Sequence, residues 1–166
     1  MTNPVINIDA VPTIVNQPPG TRFGSVMAIV GDALGMQKLG CMYMQVEPGK
    51  RAYPYHNHHA NEEMFIILEG TGTYRFGDQQ HPIKSGDICS APAGGRETAH
   101  QIINTGGVTL RYLSISTRLD PEICEYPDSD KYSAFSLGTS TNLKDARLKA
   151  IGRTQETLGY FDGEDM

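Results

Sequence analysis

Apolar side chains recur along this chain in short runs rather than at the three-to-four spacing of an amphipathic helix. Residues 25–30, 41–46, 63–68, 72–76, 88–90, 99–104 and 109–116 are each rich in β-branched, aromatic or methionine side chains, the types that fit a pleated, half-buried surface. Between the runs stand Pro48-Gly49, Glu69-Gly70, Gly77-Asp78, Ser85-Gly86, Gly94-Gly95 and Gly106-Gly107, pairs suited to reversing a strand. The pattern predicts an all-β antiparallel barrel or sandwich, with no helix longer than about two turns before Leu119. In the run from Glu63, Phe65 and Ile67 fall on one face while Met64, Ile66 and Leu68 fall on the other, so both faces are apolar. Something must cover the outer one, and a second subunit is the simplest cover, which makes a homodimer the expectation.

The ends read differently. Residues 1–24 carry Pro4, Pro12, Pro18 and Pro19, which remove backbone donors and describe an extended arm with at most a short edge strand. This arm wraps the barrel or a partner subunit. After Arg118 comes a polar segment, 120–130, with two prolines, then a stretch, 142–151, compatible with either a short helix or a strand. The acidic end, 159–166, docks through Tyr160 and Phe161 or frays. The expected division is an arm at 1–24, a barrel at 25–118 and a tail at 119–166 packed on the barrel.

Composition narrows the function. A chain of 166 residues with 39% hydrophobic content can close one core without disulfides. Its net charge of −5 is modest and its basic residues are scattered, so nucleic acid is not an expected partner. No apolar run reaches the length of a membrane span and no leader pattern opens the chain, which points to a soluble, cytoplasmic protein. Cys41, Cys89 and Cys124 are odd in number and widely spaced, as reduced thiols are.

The stretch 48–70 carries the chemistry. His56 and His58 stand two apart on an extended segment, so both imidazoles can share one face. A carboxylate, Glu62 or Glu63, follows at the start of the next apolar run, and His100 opens another after the glycine-rich loop 91–99. Three imidazoles and one carboxylate converging inside a barrel can bind a divalent ion and leave positions for water or substrate. His59 is out of phase with His58, and His81 precedes Pro82 in what reads as a hairpin turn. Both are expected at the surface. Asn104 is expected to satisfy backbone rather than touch the ion.

These residues resemble the two motifs of the cupin family. Glycine, His-x-His, a glutamate and a second glycine fall at Gly49, His56, His58, Glu63 and Gly70, the last spacing selecting Glu63 over Glu62. The second motif falls at Gly86, Pro92, Gly94, His100 and Asn104. Two spacings depart from the family pattern. Six residues rather than five separate Gly49 from His56, and five rather than two separate Gly94 from His100. The resemblance implies a double-stranded β-helix, or jelly-roll barrel, with one divalent ion per subunit on His56, His58, Glu63 and His100, and the longer loop 95–99 beside it. Manganese or iron is expected, with nickel, cobalt and zinc also compatible with the donor set.

Such an ion can chelate neighbouring carbonyl and hydroxyl oxygens and stabilise an enediolate, which favours a small polyoxygenated substrate. Glu62, Tyr53, Tyr55 and His59 are the candidate proton carriers, with Glu62 and Tyr55 preferred. Lys50, Arg51 and Arg96 flank the motifs and are candidates to hold a phosphate. Cys124 lies just beyond the last barrel run, where a tail folding over the open end would bring a thiol to the substrate as a nucleophile. With this tail and the closing 159–163, the chain is similar to small bacterial cupins of the methylthioxylulose 5-phosphate methylsulfurylase type. That likeness implies removal of a methylthio group from a sugar phosphate, with Cys124 or glutathione as acceptor. A non-haem iron dioxygenase and a non-catalytic ligand-binding cupin are the alternatives.

Overall fold

The predicted runs fold as strands whose ends lie within a residue or two of those expected. In this computed structural model, which describes residues 3–138 and 143–164, the chain passes through β1 (Thr13–Asn16), β2 (Ser25–Ile29), a helical turn α1 (Val30–Ala33), β3 (Leu39–Val46), β4 (Asn57–His58), β5 (Glu63–Glu69) and β6 (Thr71–Phe76). It continues through β7 (Gln79–Lys84), β8 (Ile88–Ala91), β9 (His100–Ile103), β10 (Leu110–Thr117), β11 (Glu122–Tyr126), β12 (Lys131–Ser136) and β13 (Leu148–Arg153). Among the described residues these make a six-stranded sheet in the order β1-β2-β3-β10-β5-β8, a four-stranded sheet β13-β12-β11-β4, and a three-stranded sheet β7-β6-β9.

The alternation of each strand decides what lies between the sheets. Phe65 and Ile67 of β5 turn inward with Met44 and Val46 of β3, Leu110 and Tyr112 of β10, Tyr74 of β6 and Ile102 of β9. Removing one such aliphatic side chain from water contributes roughly 1.5–3 kcal/mol. Asn104 closes one end of this core, donating to the carbonyls of Val46 and Val108 and accepting from the amide of Gly106.

The amino-terminal arm folds back on its own barrel. Val11 packs with Ala28, Val30 and Tyr43, with half-buried Ile6 and Ile8 beside them, so the arm covers the Tyr43 end of the outer face. Met64, Leu68 and Ile88 remain 39%, 42% and 65% exposed farther along that face.

Three segments are more regular than their composition suggested. His81 and Pro82 lie within β7, not at its turn, which is formed by Gly77 and Asp78. Because β7 is the edge of its sheet, the missing proline donor costs it little, and His81 is exposed. The polar segment after Arg118 supplies β11 and the approach to β12. Of the stretch 142–151, Asn142 lies outside the described residues, and the rest holds a short 3-10 turn, Leu143–Asp145, and most of β13, so a strand forms there. Tyr160 and Phe161 are 91% and 71% exposed and pack edge-on against one another. The ends of the predicted arm and tail, residues 1–2 and 165–166, lie outside the described residues. No helix among the described residues is long and apolar enough to cross a membrane.

Candidate metal centre

The two histidine motifs are stitched together by backbone. Gly49 and Gly86 take positive φ values of +78° and +92°, a conformation that glycine adopts without strain, and each turns the chain ahead of its motif. His56 and His100 then exchange N–H···O=C bonds of 3.1 and 2.7 Å as an isolated antiparallel bridge. His58 sits on β4, and Glu63 and His100 are the first residues of β5 and β9. Between the first two histidines, Asn57 points the other way and is fully buried. Its amide donates to the Gly94 carbonyl at 3.0 Å and to Glu125 Oε2 at 3.3 Å, which anchors the first motif to the second and to the tail.

One ligand atom from each of His56, His58, Glu63 and His100 can be chosen so that all lie within 4.8 Å of one another. Glu63 Oε2 is 2.9 Å from His100 Nε2, 3.4 Å from His58 Nε2 and 3.7 Å from His56 Nε2. The outward nitrogens show which atoms are free to coordinate. His56 Nδ1 is 2.8 Å from the Pro54 carbonyl and His100 Nδ1 is 3.2 Å from the Thr98 carbonyl. A carbonyl only accepts, so these Nδ1 atoms carry a proton, and with Nδ1 so engaged the inward Nε2 is the nitrogen left to meet an ion. His58 Nε2 is buried and makes no hydrogen bond. A set of three imidazole nitrogens and one carboxylate oxygen, gathered in this way with His58 Nε2 unpartnered, fits a divalent ion of the manganese-to-zinc series.

Charge follows from the same contacts. Burial first, then His100, pull His56 down to about 4 against the opposing pull of Glu63, so its imidazole is neutral near pH 7. Burial works against ionising Glu63, but His100 and His58 outweigh it and hold the carboxyl far below the usual range. Burial likewise opposes charge on His58, while Cys124, Glu122 and Glu63 raise it to about 12. His58 therefore bears a proton that an incoming ion must displace.

The ligands line a cavity of about 430 Å³. Aromatic and apolar groups make most of its wall, including Tyr53, Phe65, Tyr112, Tyr126 and Phe135, and among the described residues no lysine or arginine lines it. Cys124 is in that wall, 4% exposed, with Sγ 3.3 Å from His58 Nδ1. Tyr53 is there too, its hydroxyl against the sulfurs of Met27 and Met42. Burial, then Glu63, push this phenol up to about 12, which makes it a proton donor rather than a base.

Two expected proton carriers lie elsewhere. Tyr55 is buried with its hydroxyl donating to the Gly77 carbonyl and its ring under the Arg75 guanidinium at 3.5 Å. Glu62 is exposed and borders a separate pocket on the outer side of β5, because neighbouring residues of a strand face opposite ways. Neither lines the ligand cavity. His59 pairs with Glu125 at 3.3 Å on the surface. The candidate phosphate donors are also diverted, Arg51 over the Phe23 ring and Arg96 to Glu125 and Asp130, and Lys50 is in the wall of neither this cavity nor its neighbour. The long loop does not line the cavity either. Its 3-10 turn, Arg96–Thr98, supplies the carbonyl that orients His100.

Sequence reasoning passed over Glu122 and Asn61. Glu122 is 1% exposed, and each of its oxygens accepts two N–H groups, Oε1 from Ala60 and Ile123, Oε2 from the backbone and side-chain amides of Asn61. Glu122, Cys124 and His58 also cluster, with Glu122 Oε2 3.5 Å from His58 Nδ1; its four N–H partners make Glu122 a held carboxylate rather than an open ligand. The available signal was the i, i+2 spacing of Glu122 and Cys124, which puts both on one strand face. A second cavity of about 380 Å³ shares His58, Glu63 and Phe135 with the first and has Arg118, Gln37 and Ser116 in its wall.

Comparison with known proteins agrees with this fold. A cupin domain model matches residues 42–116. A solved structure from Acidithiobacillus ferrooxidans, named provisionally as a sugar phosphate isomerase, is 32% identical, with 82% of this chain and 80% of that one covered and a TM-score of 0.71. A sugar phosphate isomerase from a cupin superfamily, from Silicibacter pomeroyi, superposes over 96% of this chain and 98% of that one with a TM-score of 0.77 at 24% identity. An oxalate-binding protein of Thermotoga maritima is 33% identical over 72 residues, 43% of this chain. The match covers 56% of that protein's length, little more than half.

Proposed function

This chain belongs to the cupin superfamily, and from that premise we propose that it is a divalent-metal-dependent enzyme acting on a sugar phosphate, removing the methylthio group of 1-methylthioxylulose 5-phosphate with a thiol. The observation that carries the reading is Cys124. A thiol in the wall of the cavity that the four ligands line is a group that sugar isomerisation alone does not need. The likeness to proteins named as sugar phosphate isomerases supports the substrate class.

A divalent ion held by His56, His58, Glu63 and His100 supplies a Lewis acid for the adjacent carbonyl and hydroxyl oxygens of a ketose. Cys124 Sγ attacks the methylthio sulfur. An S–S bond forms, the C–S bond breaks, and its electron pair passes to the sugar carbon, which then takes a proton. A second thiol, glutathione in this reading, releases the methylthio group as a mixed disulfide and restores Cys124. Tyr53, held protonated in the wall, is placed to hydrogen-bond a substrate oxygen. Arg118 borders the second cavity with His58 and Glu63; it pairs with Asp32 and donates to the Met36 carbonyl, so a phosphate held by it competes with Asp32.

One observation favours another reading. Among the described residues the main cavity has no lysine or arginine in its wall and is rich in aromatic rings, which suits an uncharged aromatic substrate and a non-haem iron dioxygenase. The deciding experiment is metal analysis followed by assay against methylthio and unmodified pentulose phosphates, with and without oxygen. Methylthio release that needs glutathione but not oxygen, and that is lost in Cys124→Ser while metal content stays, supports the proposal. Full turnover in Cys124→Ser refutes it, and oxygen uptake with the iron-loaded protein supports the dioxygenase.

A further inference from the structure

We infer that Glu122 is a positioning residue for the metal centre, giving His58 Nδ1–H an anionic acceptor so that His58 Nε2 stays turned toward the ion. The inference rests on the metal-centre part of the function proposed above. It does not depend on the substrate.

The three histidines are oriented by different means. His56 and His100 rest their Nδ1 atoms on the carbonyls of Pro54 and Thr98, two residues back along their own segments. His58 has no such carbonyl on its Nδ1. That atom instead faces two side chains of β11, Glu122 Oε2 at 3.5 Å and Cys124 Sγ at 3.3 Å. Once an ion has displaced one of the two His58 protons, the two neighbours differ in what they allow. A thiol can donate to a bare Nδ1, which would leave the proton on Nε2, pointing at Glu63, or accept weakly from Nδ1–H. A carboxylate can only accept, which requires the proton on Nδ1 and leaves Nε2 its lone pair.

Glu122 is bound to remain a carboxylate, because all four of its hydrogen-bond partners are N–H groups. Those partners come from Ala60 and Asn61, in the loop just after His58, and from Ile123 on β11. Glu122 thus ties the loop between His58 and Glu63 to the tail and sets the His58 ring against it. Asn61 Oδ1 extends the tie by accepting from Thr117 and from the Leu119 amide. Outer partners of metal-bound imidazoles act in this way, fixing tautomer and ring angle, and their loss weakens metal binding by ~10–100-fold.

The test uses the full chain and zinc(II), which is diamagnetic. Zinc(II) affinity is measured by chelator competition and the three imidazole Nδ1–H protons are followed by NMR in the zinc(II)-loaded protein. Glu122→Gln is expected to weaken zinc(II) by ~10–100-fold, and to move the His58 Nδ1–H signal upfield with faster exchange while those of His56 and His100 stay. Cys124→Ala is expected to leave both readouts in place. Wild-type affinity and an unmoved His58 signal in folded Glu122→Gln overturn the inference. So does a His58 signal that shifts in Cys124→Ala, which would make the thiol the partner, and this arm decides the matter if Glu122→Gln does not fold. His100→Ala keeps the two levels apart. If it loses zinc(II) while Glu122→Gln keeps it, the positioning role falls and the metal centre stands; if both keep zinc(II), the metal centre itself is wrong.

Discussion

His100 is 2% exposed, yet the closest polar contact of its side chain is Glu63 Oε2 at 2.9 Å rather than a carbonyl. Truncating it removes a ligand and opens a small space beside Phe65. His100→Ala should therefore stay folded and lose most of its bound metal, a larger effect than the ~10–100-fold typical of an outer partner. Elemental analysis of the purified variant checks this, with His59→Ala, whose ring pairs with Glu125 at the surface, retaining full metal content. Asn104 predicts the reverse pattern. It makes three backbone hydrogen bonds from a fully buried position, and at ~1 kcal/mol or more per bond Asn104→Ala should cost about 3 kcal/mol of stability by denaturant titration and leave metal binding intact. These two residues were legible in the sequence through the resemblance of Gly86, Pro92, Gly94, His100 and Asn104 to the second cupin motif. Glu122 was not, since a glutamate in a polar, proline-flanked segment looks solvated and only three-dimensional packing reveals its four N–H partners. Tyr55 misled for a related reason. Its nearness to His56 in sequence says nothing of Arg75 and Gly77, which hold it away from the cavity.

At the level of elements, the barrel strands could be read from alternation and turn residues, while the tail sheet could not. β11 alternates a buried glutamate and a buried cysteine with an exposed isoleucine, so its burial pattern opposes its hydropathy. β7 hid behind Gln79, Gln80, His81 and Pro82, a composition that only an edge strand tolerates. What fastens the tail can be tested by acid. Asp120 accepts N–H bonds from Leu137 and Gly138 and the Ser136 hydroxyl. The Leu137 bond foremost, against the opposing effect of burial, with Gly138, Ser136 and Arg147 adding to it, holds its carboxyl below the ordinary 3.8. A carboxyl depressed on folding stabilises fully above its unfolded value and loses that contribution as pH falls through the folded one. Amide protection at Leu137 and Gly138 should thus persist above pH 3.8 and fall away below it. In Asp120→Asn the protection should already be reduced near neutral pH. Protection that is the same in both proteins across this window would show that Asp120 does not hold the tail.

The whole molecule leaves two matters for measurement. The outer face retains exposed Met64, Leu68 and Ile88 beyond the reach of the arm, and the expectation of a homodimer predicts twice the chain mass in sedimentation, reduced to one chain by Ile88→Lys. A parent protein that sediments as a single chain removes that expectation. The metal centre makes a stronger statement about global stability. Its ligands come from all three sheets, Glu63 from the six-stranded, His100 from the three-stranded and His58 from the sheet built by the tail, with His56 bridged to His100. An ion bound there adds to the packing and the few hydrogen bonds that already join these parts of the chain, and the unfolded chain cannot assemble the same four donors. Free manganese(II) at a hundredfold its dissociation constant should contribute about 2.7 kcal/mol to folding. For a chain of this length that is a rise of roughly 5–11 °C in unfolding temperature. Chelation should reverse the rise, and His100→Ala should abolish the metal-dependent shift without changing the metal-free value by a comparable amount. Because the tail sheet carries His58, probes in β12 and in β5 should report the same metal-dependent transition; a shift confined to one of them would mean that the ion does not span the sheets.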